Sequence, residues 1–249
     1  MNDLNSIQGK SALVLGGSRG IGAAIARRLA AGGASVAITY VQGADAANTV
    51  VDDITKAGGR AIAIQADSAN DAAVEEAVNN TKASFGGFDI LVNSAGVLAI
   101  APIEEFTTED LDRTIAVNIR AAVIASRAAA RVMGKGGRII HIGSTNAQRM
   151  PFAGGAVYAM SKSALQGLTQ GLARDLGPKG ITVNVVEPGP IDTDMNPADG
   201  PMAAGLIPML AVGRYGHPDE VASLVAYLAG PEAANITGAR MLIDGGFAA

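Results

Sequence analysis

Short runs of β-branched and aliphatic residues alternate with longer, alanine-rich stretches whose apolar positions recur at helical spacing. That alternation is the pattern of repeated βα units around a parallel sheet. Seven runs read as strands: residues 11–15, 35–40, 60–65, 90–93, 138–142, 182–186 and 240–243. Helical stretches fall between them, at residues 20–31, 44–57, 71–85, 108–133, 156–176 and 218–228, and the longest is expected to contain a break. Gly32-Gly33, Gly58-Gly59, Gly86-Gly87 and Gly136-Gly137 each punctuate a return from helix to strand, where glycine supplies left-handed cap geometry. The fold expected is α/β: helices on both faces of a seven-stranded parallel sheet.

With 249 residues and 49% apolar content the chain can bury a full core. No linker-like composition separates two halves, so one domain over residues 1–249 is expected. The formal charge of −4 is scattered and leaves no basic stripe, which argues against nucleic acid or an anionic membrane as partner. A small-molecule substrate fits better. The absence of cysteine excludes disulfides, thiolate catalysis and cysteine-ligated metals, and His141 and His217 show no metal-ligand spacing. Residues 1–10 are polar without an apolar signal core, and no apolar run reaches the ~20 residues of a spanning helix. A cytoplasmic, metal-free protein is the expectation.

Chemistry begins at the end of the first strand. Gly16-Gly17-Ser18-Arg19-Gly20-Ile21-Gly22 follows it and opens a helix, so backbone N–H groups and the helix N-terminus can approach a pyrophosphate that a Cβ would obstruct. A lone glycine loop is weak evidence, but this one sits on the first strand of a βα repeat, where such folds bind dinucleotides. Specificity between cofactors turns on the end of the second strand, where an acid would accept hydrogen bonds from a ribose 2′-hydroxyl. Thr39-Tyr40-Val41-Gln42-Gly43 offers no carboxylate there, whereas Arg19 can pair with a 2′-phosphate and Ser18 or Thr39 can donate to it. NADP(H) is therefore expected over NAD(H); Asp45, slightly further on, keeps NAD(H) possible.

Tyr158 and Lys162 stand four residues apart in a helical stretch, fourteen residues after Ser144. Four residues turn an α-helix by about 400°, so both side chains leave one face a turn apart. An ammonium beside a phenol favours the phenolate and is expected to draw its pKa down from about 10 toward neutrality, making tyrosine usable as acid or base. Taken singly, these residues read as a packing tyrosine, a solvated lysine and a turn-capping serine. Together, in order and behind a nucleotide loop, they read as a redox site.

The ordered set Gly16 to Gly22, Asp67, Asn93-Ser94-Ala95-Gly96, Asn118, Ser144, Tyr158-x-x-x-Lys162, Pro188-Gly189 with Thr193, and Ile243-Asp244-Gly245-Gly246 resembles the short-chain dehydrogenase/reductase family of single-domain type with a Rossmann fold, close in pattern to 3-oxoacyl-(acyl-carrier-protein) reductases and ketoreductases. Leu15 and Ser94 depart from the family's commoner threonine and asparagine. The resemblance implies that Tyr158 is the acid that protonates a developing alkoxide and that Ser144, with Thr145 as nearest rival, hydrogen-bonds the substrate oxygen. It further implies that Lys162 lowers the Tyr158 pKa and holds the nicotinamide ribose, and that Asn118 anchors a water chain. The bland reading of Asn118, flanked by Val117 and Ile119, is that it satisfies buried backbone groups at a helix break. By the same likeness Asp67 and Ser68 approach the adenine, Asn93, Ala95 and Gly96 line the cofactor, and Ile191 and Thr193 meet the carboxamide.

Val97 to Ile100, Asn146 to Phe152, Pro190 and a lid over about residues 190–212 are expected to line a mainly apolar pocket, with Gln148 and Arg149 as polar exceptions. An NADPH-dependent reductase of a ketone or 3-oxoacyl thioester follows. A second reading is a nucleotide-binding regulator, because residues 188–202 resemble the same run in the family's biofilm-dispersal-mediator branch, described as binding a cyclic dinucleotide. The resemblance also implies a homo-oligomer, usually a tetramer, and the alanine-rich helices at 108–133 and 156–176 could pack against symmetry mates.

Overall fold

The computed structural model describes residues 7–249; of the polar N-terminal stretch, residues 1–6 lie outside it. Strand β1 (Ser11–Leu15) is followed by α1 (Gly20–Ala31), β2 (Ser35–Tyr40), α2 (Ala44–Lys56), β3 (Arg60–Gln65), α3 (Asp71–Phe85) and β4 (Ile90–Asn93). The second half carries α4 (Thr108–Thr114), α5 (Ala121–Val132), β5 (Arg138–Ile142), α6 (Ala156–Leu176), β6 (Thr182–Pro188), α7 (Ala203–Leu206), α8 (Pro218–Ala229) and β7 (Arg240–Ile243). All strands pair in parallel, in the order β3-β2-β1-β4-β5-β6-β7. The chain winds outward from β1 through β2 to β3, then restarts on the other side of β1 with β4. The carboxyl ends of β1 and β4 thus flank the topological switch point, where such sheets leave a crevice.

Burial explains the run-like strand sequences. Every residue of β1, β4, β5 and β6 is buried because helices cover both faces. Alternate residues serve different cores: Ala12 and Val14 join Ile25, Leu29, Val221 and Val225 under α1 and α8, while Leu13 and Leu15 join Val74, Val78, Ile124 and Ala128 under α3 and α5. Each fully buried leucine or isoleucine contributes about 1.5–3 kcal/mol. Where α1 meets α8, small residues such as Ala23, Ala26, Ala222 and Ala226 let the two backbones approach.

The break expected in the long helix is a widening rather than a stop. Residues Ile115–Arg120 form a π-helical turn that joins α4 to α5, and the turn carries Asn118. At the β6 end, the strand runs two residues further than its apolar pattern because Pro188 pairs with Ile243 and the Gly189 N–H donates to the Ile243 carbonyl. Gly86 closes α3 with φ 79°, the left-handed cap its sequence position implies. Within residues 190–212, α7 and the turn Ile207–Met209 fold onto Tyr215 and Phe247 in a small separate core.

Candidate active site

A cavity of about 820 Å³ opens at the carboxyl ends of β1 and β4 and runs from the glycine loop to α7. At its first end Gly16 adopts φ 72°, and a Cβ there would stand 2.8 Å from Ala95 Cα. At Gly22 a Cβ would lie 2.2 Å from the Gly16 carbonyl oxygen, so only glycine lets α1 begin so close to β1. Thr39, buried at the end of β2, accepts the Gly16 N–H through Oγ1 at 2.9 Å and pins the loop. No side chain caps α1, which leaves the first-turn N–H groups of Gly20, Ile21 and Gly22 facing the cavity. Arg19 lines the same wall; its carbonyl accepts the Ala23 N–H at 3.2 Å, and its side chain has no hydrogen-bond or ion-pair partner among the described residues. A cradle that excludes Cβ atoms, an uncapped helix terminus and an unpaired guanidinium fit a phosphorylated dinucleotide.

Further along, Tyr40, Gln42, Asp67 and Ser68 line the wall. Asp67 accepts from the Ala69 N–H at 2.9 Å and from Arg113 of α4 at 3.1 and 3.3 Å. Partial burial raises the Asp67 pKa, but the Ala69 N–H and Arg113 outweigh it and hold the carboxyl below its ordinary value. Arg113 had no signal in the sequence, because only the crossing of α4 over the end of β3 brings it to Asp67. Asp45 sits on the first turn of α2 and is not part of the cavity wall.

At the other end Ser144, Tyr158 and Lys162 converge. Ser144 Oγ accepts the Asn146 N–H at 3.1 Å, which leaves its hydroxyl proton free for the cavity and for Tyr158. Thr145 faces the other way: it is fully buried, donates to the Glu187 carbonyl, and does not line the cavity. Lys162 Nζ donates to the Ile142 carbonyl at 3.0 Å and stands 5.8 Å from the centre of the Tyr158 ring. Burial pushes the lysine down from 10.5 to about 8. Burial also raises the tyrosine, against the lowering effect of its bond to Ser144. The expected downward shift of Tyr158 is therefore reversed here, because the charged phenolate loses water and the ammonium that would favour it is turned to the strand carbonyl.

Two asparagines lie behind the wall rather than on it. Asn118 Oδ1 accepts the Val97 N–H at 2.8 Å, and its Nδ2 donates to the Val97 carbonyl and to Ser161 Oγ, both at 3.0 Å. It thereby ties the π-helical turn to α6 and to the loop after β4, satisfying buried backbone groups. Asn93, expected against the cofactor, is buried and shares a 2.9 Å hydrogen bond with His141 Nδ1 in the sheet. Burial, and secondly Lys162, hold His141 down at about 4, so it is neutral and structural. The remaining predicted positions, Ser18, Ala95, Gly96, Pro188, Gly189, Ile191 and Thr193, all line the cavity.

The substrate end is walled by Val97, Leu98, Asn146, Phe152, Pro190, Met195, Met202, Leu206 and Phe247. Gln148 and Arg149, expected in this pocket, point elsewhere. Gln148 donates to the buried carboxylate of Glu187 at 2.7 Å, and Arg149 donates to the Phe247 carbonyl with its guanidinium 5.3 Å from that ring's centre. Glu187 also accepts from Gln166 of α6 at 2.7 Å and faces Arg240 of β7 at 3.5 Å, joining three elements beside the site. Phe247 directly follows the Ile243-Asp244-Gly245-Gly246 motif in sequence, but no periodicity announced it as part of the cavity wall.

No helix among the described residues is long and apolar enough to cross a membrane. The family profile described as enoyl-(acyl carrier protein) reductase matches residues 16–248. The chain is 51% identical over 246 residues to the cyclic-di-GMP-binding biofilm dispersal mediator protein of Escherichia coli K12, covering 99% of this chain and 100% of that one. A short-chain dehydrogenase/reductase from Serratia marcescens superposes with TM-score 0.96 at 60% identity, over 98% of this chain and 99% of that chain. A short-chain dehydrogenase from Burkholderia cenocepacia, solved in complex with NADP, does so with TM-score 0.96 at 57% identity, over 98% and 99%. Fold, site geometry and relatives agree that the chain belongs to the short-chain dehydrogenase/reductase family of oxidoreductases.

Proposed function

We propose that the protein is an NADPH-dependent carbonyl reductase that interconverts a ketone and a secondary alcohol. The observation that carries the reading is the convergence of Ser144, Tyr158 and Lys162 on the wall of a cavity whose other end is a Cβ-excluding glycine cradle with an unpaired Arg19. Gly16, Ser18 and the N–H groups of Gly20 to Gly22 would hold the pyrophosphate, and Arg19 the 2′-phosphate. Asp67 and Ser68 would border the adenine, and Ile191 and Thr193 the carboxamide. When bound, the cofactor supplies a hydride to the carbonyl carbon and is oxidised to NADP⁺.

The protein's own residues handle the oxygen and its proton. Ser144, free to donate, binds the carbonyl oxygen as negative charge develops on it. Tyr158, kept protonated by burial, gives its proton to that oxygen, and the alcohol forms. Lys162, cationic below about pH 8 but held by the Ile142 carbonyl 5.8 Å from the ring centre, contributes only a longer-range attraction to the phenolate left behind. Asn118 holds the turn and α6 in register so that Tyr158 meets Ser144. Residues 190–212 act as a lid over the substrate.

The test is cofactor oxidation by the purified protein with ketones, diketones and 3-oxoacyl esters. Consumption of NADPH well above NADH supports the proposal; NADPH binding without oxidation across that panel overturns it. The likeness to a cyclic-di-GMP-binding relative supports a second reading, sequestration of a dinucleotide in the same cavity. A cellular phenotype that survives Tyr158→Phe would favour it.

We also propose a cytoplasmic homotetramer. Val123 of α5 and Met160 of α6 are exposed apolar residues, which supports packing of these helices against another copy, although the alanines Ala121, Ala122, Ala125, Ala128 and Ala129 of α5 are buried within the chain's own core. Light scattering at several concentrations distinguishes tetramer from dimer and monomer.

A further inference from the structure

We infer that Glu187, which lies behind the cavity wall, is a positioning residue for the reaction: its carboxylate sets Ser144 and Tyr158 against each other. The inference rests on the reductase reading above. Glu187 stands next to Pro188 at the end of β6, is fully buried and does not line the cavity. Its Oε2 accepts from the Gln148 amide and its Oε1 from the Gln166 amide, each at 2.7 Å. Gln148 closes the turn that follows Ser144, and Gln166 belongs to α6, the helix that carries Tyr158. One side chain therefore holds both elements that bring the two hydroxyl groups together.

The spacing on α6 gives this hold its leverage. Tyr158, Lys162 and Gln166 occupy three successive turns of one face. Lys162 is tied to the Ile142 carbonyl and Gln166 to Glu187, so rotation or sliding of the helix is stopped at two points. On the other side, Thr145 donates to the Glu187 carbonyl at 3.4 Å, a weak tether, and Gln148 fixes the far end of the same turn. The stem of Glu187 also packs under the backbone that leads into Ser144, since a Cβ on Gly143 would stand 3.1 Å from Glu187 Cγ. Stability does not account for a carboxylate here. A buried ion is costly unless fully hydrogen-bonded, and such a cluster is commonly no more stable than a well-packed apolar one. Arg240, the facing cation, is partly exposed at 3.5 Å and offsets the charge weakly. What a carboxylate supplies is two directed acceptors in one plane, which holding donors from two elements requires.

The experiment measures kcat and KM with a ketone turned over by the wild type, NADPH Kd by fluorescence, and Tm. The variants are Glu187→Gln, Gln148→Met, Gln166→Met and the exchange variant Glu187→Gln/Gln166→Glu. Glu187→Gln keeps the shape but turns an NH₂ group toward one of the two amide donors. It is expected to lower kcat about tenfold well below its Tm, with KM and NADPH Kd within about twofold. Each methionine variant removes one hold and is expected to lower kcat about threefold to tenfold. The exchange variant returns a carboxylate to α6 to accept the misplaced NH₂, and kcat recovers to within about threefold of wild type. A kcat within about twofold of wild type beside a lowered Tm overturns the inference, in Glu187→Gln or, where that variant does not fold, in both methionine variants. So does a loss carried by KM or by the NADPH Kd, or an exchange variant that regains Tm without kcat. A wild type that turns over no ketone defeats the reductase reading instead. The crystal structure of Gln166→Met then decides: a widened gap between the Ser144 and Tyr158 hydroxyls supports the inference, and a gap within about 0.5 Å of the wild type's overturns it.

Discussion

Lys162 donates from Nζ to the carbonyl of Ile142 at 3.0 Å, so the cation of the site is tethered to the carboxyl end of β5 rather than laid against the Tyr158 hydroxyl. A buried ammonium held by one strand carbonyl is costly to keep charged, and its pKa falls to about 8.

The reduction rate therefore falls as pH rises through about 8, where Lys162 loses its proton. Stability follows with the opposite sense. Between about 8 and 10.5 the unfolded chain binds the proton more tightly than the folded one, so this group makes stability rise with pH over that window and leaves its full penalty in place below it. Lys162→Met removes the buried charge. It is expected to raise Tm by roughly 2–4 °C at neutral pH while lowering kcat about 10²-fold or more, read by calorimetry and initial rates.

Ser144 and Thr145 are neighbours with opposite aims, one into the cavity and one onto the Glu187 carbonyl. Ser144→Ala should cost about 10²-fold in kcat. Thr145→Val should leave kcat within about threefold and appear instead as a Tm loss of a few degrees, because a buried acceptor loses its donor. Equal kinetic losses would contradict the assignment.

Arg19 faces the cavity without an internal partner. Its truncation to alanine is expected to weaken NADPH binding about tenfold or more and to leave NADH within about twofold, measured by fluorescence titration. Equal weakening of both would place Arg19 on the shared pyrophosphate instead.

Glu187 is fully buried and accepts from Gln148 and Gln166 while facing Arg240. Glu187→Ala strands those donors and is expected to cost about 3 kcal/mol, a Tm loss of roughly 6–12 °C by calorimetry. A change under 2 °C would show that the carboxylate is dispensable to the packing of α6.

Most of the framework was legible before the structure because parallel strands covered on both faces are written as unbroken apolar runs, and glycines mark the returns. The glycine cradle and the Tyr158–Lys162 pair were readable because each chemistry depends on local spacing. What escaped depended on contacts distant in sequence. Arg113 reaches Asp67 across α4 and β3, Arg149 meets Phe247 through the fold, and Glu187 gathers donors from three elements. The Tyr158 shift was misread for a related reason: spacing along a helix gives a shared face but neither the depth of burial nor the strand carbonyl that claims the lysine.

The central claim, that Tyr158 delivers the proton to a substrate carbonyl in this cavity, is tested most directly by Tyr158→Phe. Initial rates of NADPH oxidation with a ketone turned over by the wild type, together with NADPH Kd by fluorescence, are the measurement. The account predicts turnover reduced by about 10³-fold or more with the Kd within about twofold. A variant that keeps more than about a tenth of the wild-type rate would contradict it.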